Sequence, residues 1–426
     1  MEGHENYENP VDLAKIRLCS EKIPLVLVEH FLLLDRLLAE HRQYWQIRAF
    51  ATFDRPWPHG LQACVNRLSV EQIWQLDGAE DQLADLVEPW LPVAKVLNGL
   101  CAQYQRPRAS EVLVDERLGV GVPGRKWCQI KAFAEAMPKP MGSVLEWCAG
   151  KGHLGRIAAA THGCEVHSLE WDRRLCQEGE ELAAKHRDKH SVHQRFICAD
   201  ALLDGSKVHI PRGGMSIALH ACGDLHTQLL KNWIARLGGQ LMLAPCCYHL
   251  TKDLNYQPLS HAAKASAISL SKADLSLPLQ STVTGGKRAQ RLRDVEASWR
   301  LSFDLLQRQI RGVDEYLPLP TLKKAMLAAP FGEFLAWASA KKALPLPKNL
   351  NLNACLQRGQ ERLLDVRRTE LVAKLFRRAL ELWLVLDRAL YLEEQGAEVE
   401  VFTFCDYQLT PRNFMIRANN PQTQGL

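Results

Sequence analysis

Two short stretches of this 426-residue chain concentrate side chains able to do chemistry. Leu219-His-Ala-Cys-Gly-Asp-Leu225 carries His220, Cys222 and Asp224, and Ala244-Pro-Cys-Cys-Tyr-His-Leu250 carries Cys246, Cys247 and His249. A histidine or carboxylate near a substrate can take a proton from a hydroxyl or an amine, which makes His220, Asp224 and His249 candidate bases. A thiolate at Cys246, just after Pro245, could add to a pyrimidine ring. Zinc accepts Cys and His together, but this spacing matches no zinc signature and no metal is expected. The plainest reading is small apolar filling, since free cysteine is commonly buried. A third stretch, Glu146-Trp-Cys148-Ala149-Gly150-Lys-Gly152-His-Leu-Gly155, is a turn of small residues. Glycine there lets the backbone pass close to a ligand.

The elements around these stretches must place them. Ser143 to Cys148 is a short apolar run, Gly155 to Thr161 suits an alanine-rich helix, and Glu165 to Trp171 is a second apolar run ending at Glu170 and Asp172. Arg173 to Lys189 reads as a helix. Strand-like runs follow at Val192 to Cys198, Met215 to Ala221 and Gln240 to Ala244, with a helix over Asp224 to Leu237. This alternation predicts a parallel sheet. Ligands of open parallel sheets sit outside the carboxyl ends of the strands, where both Cys/His clusters fall. Val399 to Phe404 and Asn413 to Arg417 predict a closing antiparallel hairpin.

The turn itself reads in two ways. Gly150-Lys-Gly152-His-Leu-Gly155 is formally GxGxxG, a dinucleotide fingerprint. Glu146 argues against that reading, because a carboxylate beside a pyrophosphate repels it. Glu146-x-Cys148-x-Gly150-x-Gly152 resembles motif I of the class I S-adenosylmethionine methyltransferases. The resemblance implies a Rossmann-like α/β fold with a closing antiparallel hairpin, and S-adenosylmethionine as cofactor. It implies that Cys148, Ala149, Gly150 and Gly152 lie under the methionine part, with Glu146 at its amino end. It implies Glu170 on the ribose with Trp171 beside it, Asp200 and Ala201 at the adenine, and His220 at the rim. A helix from Lys126 to Met137 would lie over the cofactor, with Arg125 and Lys126 near its carboxylate. The HACGDL and CCYH elements resemble the methyltransferase-domain family shared by the glutathione S-transferase C-terminal-domain-containing protein and methyltransferase-like relatives. CCYH also resembles the CCxH-type motif of tRNA 2′-O-methyltransferases. The resemblance covers roughly 126–250 and the terminal hairpin.

Around that core the chain divides into a helical region (1–105), a linker or arm (106–125), the core (126–250), a helical insertion (251–395) and the hairpin (396–426). Leu25, Val28, Leu32 and Leu33 follow a helical spacing, and Pro56, Pro58, Pro89 and Pro92 break that region into short helices. Trp45, Trp57, Trp74 and Trp90 are read as its core. Residues 251–395 hold 23 Lys/Arg against 15 Asp/Glu, more than the whole chain's net charge of +5. The densest basic patch is Gly285 to Arg293. A basic segment beside a cofactor domain suits a polyanion, so methyl transfer to RNA, tRNA or ribosomal RNA, is the leading expectation. The alternatives are a protein or small-molecule methyltransferase and a non-catalytic SAM-fold binding protein. No apolar run is long enough to span a membrane. The polar N-terminus shows no signal pattern, and thirteen scattered cysteines without CxxC pairs suit a cytoplasmic protein.

Overall fold

The computed structural model describes residues 27–106, 114–190, 192–280 and 287–423. Leu25, part of the 106–125 arm, and Gly285 and Gly286 of the basic patch lie outside the described residues. Seven strands form one sheet: β1 Val144–Trp147, β2 Glu165–Glu170, β3 His193–Cys198, β4 Met215–Cys222, β5 Gln240–Cys246, β6 Glu398–Thr403 and β7 Phe414–Asn419. Their order is β3-β2-β1-β4-β5-β7-β6. The first five pair in parallel, and β7 slots antiparallel between β5 and β6.

Alternate strand residues feed two apolar layers, as the period of two dictates. Leu145, Trp147, Leu169, Ala218, Leu241, Leu243 and Ile416 face one layer. Val144, Val166, Ile217, Met242 and Met415 face the other. The main helices are α1 Leu27–Glu40, α2 Val93–Ala102, α3 Gly124–Ala136, α4 His153–His162, α5 Arg173–His190, α6 Asp224–Ala235, α7 Lys287–Arg311, α8 Phe331–Lys342, α9 Leu352–Lys374 and α10 Arg377–Glu393. Helices α3 and α4 cover the second layer. Asp172 starts α5 by accepting the N–H groups of Arg174 (2.8 Å) and Leu175 (3.4 Å). Gly163, at φ 61°, closes α4 in the left-handed conformation.

Two boundaries differ from the sequence reading. Helix α10 falls within 251–395, yet it is buried all round and packs in the first layer with α1, α2, α6 and the sheet. It is the crossing helix between β5 and β6. A helix buried on every face, with its charged side chains paired inside, belongs to a core rather than to an appendage. The N-terminal helices likewise share that layer and form no separate core. Trp45 and Trp57 are buried as expected, whereas Trp74 and Trp90 stay 38% and 36% exposed. Helices α7, α8 and α9 do build a small core of their own, around Trp299, Phe303, Leu306, Phe334 and Leu335. Gly359 allows α9 to approach α7, since a Cβ there would lie 1.9 Å from Ser302 Oγ.

Candidate active site

The ends of β1, β2 and β3 form one half of the cleft. Past Trp147 the chain turns through Cys148 (φ 58°), Gly150 (φ 59°) and Gly152 (φ 65°) into α4. The turn is held from beneath. Gly150 N–H donates to Glu170 Oε2 at 2.8 Å, and Glu170 Oε1 accepts the N–H groups of Trp171 and Asp172 at 3.0 Å each. Gln194 Nε2 donates to Gly152 O (2.9 Å) and to Ser168 Oγ (2.8 Å), and Ser168 Oγ donates to Glu146 Oε2 at 2.6 Å. Three adjacent strands thus supply one polar relay under the turn.

This relay corrects one expectation and gives a second expected residue a structural task. Glu146 does not reach out to a ligand's amino end. It shares a strand face with Val144, lies under α4 and is 4% exposed. Burial lifts its carboxyl to about 7, against the lowering effect of Ser168, the Gly155 N–H and Arg156. Glu170 is also turned inward, 6% exposed, with both oxygens on backbone N–H groups. Both carboxylates shape the turn.

The open side of the turn remains. A Cβ at Gly150 would meet nothing within 4 Å, whereas one at Gly152 would strike Gln194 and Phe196. Trp171 is 75% exposed, with Asp200 exposed at the end of the neighbouring strand β3. Asp200 Oδ1 accepts the Leu202 N–H at 2.9 Å, Ala201 is buried beneath, and Leu202 and Leu203 are exposed beside it. A cradle without a Cβ, an exposed indole, apolar rim residues and a carboxylate fit a nucleoside carrying an amino-acid tail.

The ends of β4 and β5 form the other half. The two strands slip register between Leu219 and Cys222, and His220 takes φ 70° there. Gly223 follows at φ 57°, and a Cβ on it would lie 1.8 Å from Leu250 O. Asp224 N–H donates to Leu250 O (3.1 Å), and Asp224 Oδ2 accepts Lys252 N–H (2.8 Å). Asp224 therefore clamps the loop after β5 through its backbone N–H and Oδ2. The sulfur atoms of Cys222, Cys246 and Cys247 lie within 4.8 Å of one another, and those of Cys222 and Cys246 are 3.3 Å apart. Cys246 is only 2% exposed and closed off from any ring it might attack. Cys247 is half-buried at φ 47°, and its thiol is lowered by hydrogen bonds from Cys222 and Cys246 and by Arg412 and His249.

His220 is open to the cleft, and its Nε2 meets Gln129 Oε1 of α3 at 3.0 Å. Crowding by the cleft walls, then Lys126 and Arg412, push it down to about 4, so the ring is neutral at pH 7. His249 Nδ1 is buried and makes no hydrogen bond. The expected residues His220, Cys246 and Cys247 thus meet at one place, with Asp224 at the start of α6 and His249 on the loop after β5 bordering it. Sequence reasoning missed Gln129, Ser168, Gln194 and Arg412. A polar Gln129 on the apolar face Trp127, Ile130 and Phe133 of α3 was the available signal. Gln129 Nε2 also donates to Leu409 O (3.4 Å), and Arg125 Nε donates there at 2.6 Å, so α3 holds the loop between β6 and β7. Arg125 is engaged in that task. Behind the site, His226 Nε2 accepts from Arg388 of α10 at 2.8 Å, tying the second half to the core helix.

Residues 125–253 match the family model described as a methyltransferase domain. The sheet is a Rossmann-like α/β arrangement closed by an antiparallel hairpin. The parallel strands, the reversed β7 and the glycine turn at the end of β1 agree with that match. The chain thus carries a methyltransferase domain over residues 125–253. Solved structures similar to the chain include a coclaurine N-methyltransferase bound to N-methylheliamine and S-adenosylhomocysteine. It is 12% identical, with 83% of this chain and 90% of that one covered and a TM-score of 0.26. Another is an O-methyltransferase of a trans-AT polyketide synthase from Brevibacillus brevis with S-adenosylhomocysteine. It is 15% identical over 55% of this chain and 89% of that one, with a TM-score of 0.24. A geranyl diphosphate methyltransferase with its substrate and sinefungin is 16% identical over 35% of this chain and 60% of that one, with a TM-score of 0.23. Among the described residues, no helix is long and apolar enough to cross a membrane.

Proposed function

We propose that this methyltransferase acts on RNA, with tRNA and ribosomal RNA the first substrates to test. The observation that carries this reading is the cationic rim of the cleft. The exposed Lys126 of α3 and Arg412 of the hairpin loop both act electrostatically on His220 at the cleft floor. Such a rim suits a phosphate backbone, which cations position without reading its sequence. The basic excess of 251–395 is weaker support than its sequence suggests. Arg308, Arg362, Arg377 and Arg388 are buried and spent on internal contacts. Arg291 and Arg293 remain exposed at the start of α7.

S-adenosylmethionine brings an already activated methyl group, so the chain has mainly to align a nucleophile with it. Gly150 and Ala149 would carry the amino-acid tail, and Trp171 and Asp200 would face the base. Nε2–H of His220 donates to Gln129, which leaves Nδ1 as the acceptor for a proton from a hydroxyl or amine. Exposed Leu250, on the loop held by Asp224, offers apolar contact to a base. The HACGDL and CCYH elements support kinship with the group containing the glutathione S-transferase C-terminal-domain-containing protein, and cysteine usage supports a cytoplasmic setting.

The test is radiolabelled methyl transfer to total RNA and total protein from cells lacking this chain. Label in RNA is expected, with binding that weakens steeply as salt rises. Lys126→Gln together with Arg412→Gln should flatten that salt slope by about one for each lost phosphate contact. Label confined to protein or to small molecules overturns the reading. A second reading has one specific observation behind it. A cavity of about 960 Å³ lies on the outer side of α3 and the hairpin, lined by Glu80, Arg106, Cys128, Arg378, Phe402 and Tyr407. It approaches the active site through Leu409 and could hold a small molecule or a peptide.

A further inference from the structure

We propose that Cys222, Cys246 and Cys247 form a three-thiolate site for a thiophilic d¹⁰ cation, zinc in the first instance, with a fourth position facing the cleft. Cys222 and Cys246 are 24 residues apart in sequence, and adjacent cysteines follow, so no linear signature marks the site. Parallel pairing of β4 and β5 brings them together, since Cys222 and Cys246 are register partners. The left-handed turn at Cys247 then swings a third sulfur back towards the same point.

The distances suit this cation. Zinc–sulfur bonds of about 2.3 Å in a tetrahedron put neighbouring sulfurs about 3.8 Å apart. The three sulfurs are within 4.8 Å of one another and the Cys222–Cys246 pair is at 3.3 Å, so shifts of about 0.5 Å per sulfur would complete the trio. Among the described residues no other trio of Cys, His, Asp or Glu ligand atoms comes this close. Sulfur-only ligation selects zinc or copper(I) over magnesium, calcium and manganese.

The surroundings suit it as well. Each thiol loses its proton to solvent as the ion binds, and three thiolates with Zn²⁺ carry a net charge of −1. Arg412 acts on both Cys222 and Cys247, and its Nε is buried with no hydrogen-bond partner. It supplies the balancing charge. Cys246 is enclosed while Cys222 and Cys247 are half-buried, so the ion's open side faces the cleft. Three protein ligands and an exchangeable fourth position are the arrangement of catalytic rather than structural zinc. His249, whose Nδ1 is buried without a partner, follows Cys247 by two residues on the same loop. This inference holds whichever molecule receives the methyl group.

The experiment is metal analysis of the full chain purified under reductant, followed by Co²⁺ titration read by the thiolate-to-cobalt charge-transfer band. One equivalent of zinc and a band saturating at one equivalent are expected. Cys222→Ser and Cys247→Ser, at half-buried positions, should each weaken the ion's binding about tenfold or more with an unchanged circular dichroism spectrum. Cys128→Ser, at an exposed position on the outer side of α3, should leave it unaltered. No zinc and no band in the wild type overturns the proposal. A band that survives both site variants, or follows Cys128, also overturns it. So does a Cys222–Cys246 disulfide in metal-free protein.

Discussion

The two halves of the cleft make sharp turns by different chemistry. On the β1–β2–β3 side the turn uses two left-handed glycines and a single left-handed non-glycine residue, Cys148, and carboxylates and an amide satisfy its backbone N–H and C=O groups from beneath. On the β4–β5 side two non-glycine residues, His220 and Cys247, sit in the left-handed region, where most side chains are disfavoured. Glycine there would relieve strain but would remove the imidazole and the sulfur. The first half is shaped to be empty above the backbone. The second is shaped to keep reactive side chains at one point, at a conformational cost of roughly 1–3 kcal/mol for each such residue.

The sharpest way to break this contrast is to place an apolar side chain on a glycine of each side. Gly223→Ala puts a Cβ 1.8 Å from Leu250 O at a backbone conformation that glycine favours, and should cost roughly 3 kcal/mol or more in urea unfolding. A cost near zero would show that the β4–β5 junction yields easily. Gly150→Val meets open space instead. It should cost only about 1–2 kcal/mol for its left-handed backbone, yet abolish S-adenosylmethionine binding in calorimetry by filling the cradle. Retained binding would move the cofactor away from Gly150.

A different effect should follow removal of the splint. Glu170→Ala leaves three backbone N–H groups without an acceptor, and each buried orphan costs about 1–3 kcal/mol when water cannot replace the partner. Stability and cofactor affinity should fall together, because the turn itself loosens. Affinity falling alone would restore a direct contact to the ribose.

The smallest effect is a slope. The Glu146 carboxyl is held up at about 7 by burial, above the 4.5 of an unburied one, so the folded state keeps a proton that the unfolded chain gives up. Stability should therefore decline as pH rises from about 4.5 to about 7, by a total on the order of 1–3 kcal/mol. Glu146→Gln should flatten thermal melts across that window. An unchanged slope in the variant would assign the pH dependence to another group.

The sheet and its strand-end chemistry were legible because they rest on local patterns. Val144 to Trp147 and Glu165 to Glu170 are apolar runs that punctuate themselves with Gly and Asp. Side-chain direction was not legible. Whether Glu146 points up at a ligand or down under α4 depends on the pleat and on Ser168 of the next strand, 22 residues away in sequence. The place of α10 was hidden because its fourteen buried residues include Arg377, Glu381, Asp387 and Arg388, which read as an exposed face. Their partners, such as Glu80 for Arg377 and Ser260 for Asp387, come from distant segments. Arg412 was likewise invisible, since only the hairpin's insertion brings it over the cysteines.

That insertion governs the order in which the molecule can be assembled. The first half of the cleft is complete once Asp200 has left the ribosome, since its strands, turn and relay lie between Val144 and Asp200. The second half must wait. Strand β5 ends at Cys246, but β7, which pairs with it, begins only at Phe414. Until then an apolar strand, buried along its whole length in the finished sheet, presents an unpaired edge. A nascent chain in that interval carries a finished cradle beside an open, adhesive border. Its yield should depend on chaperones that shield β5, and on the speed with which the hairpin arrives.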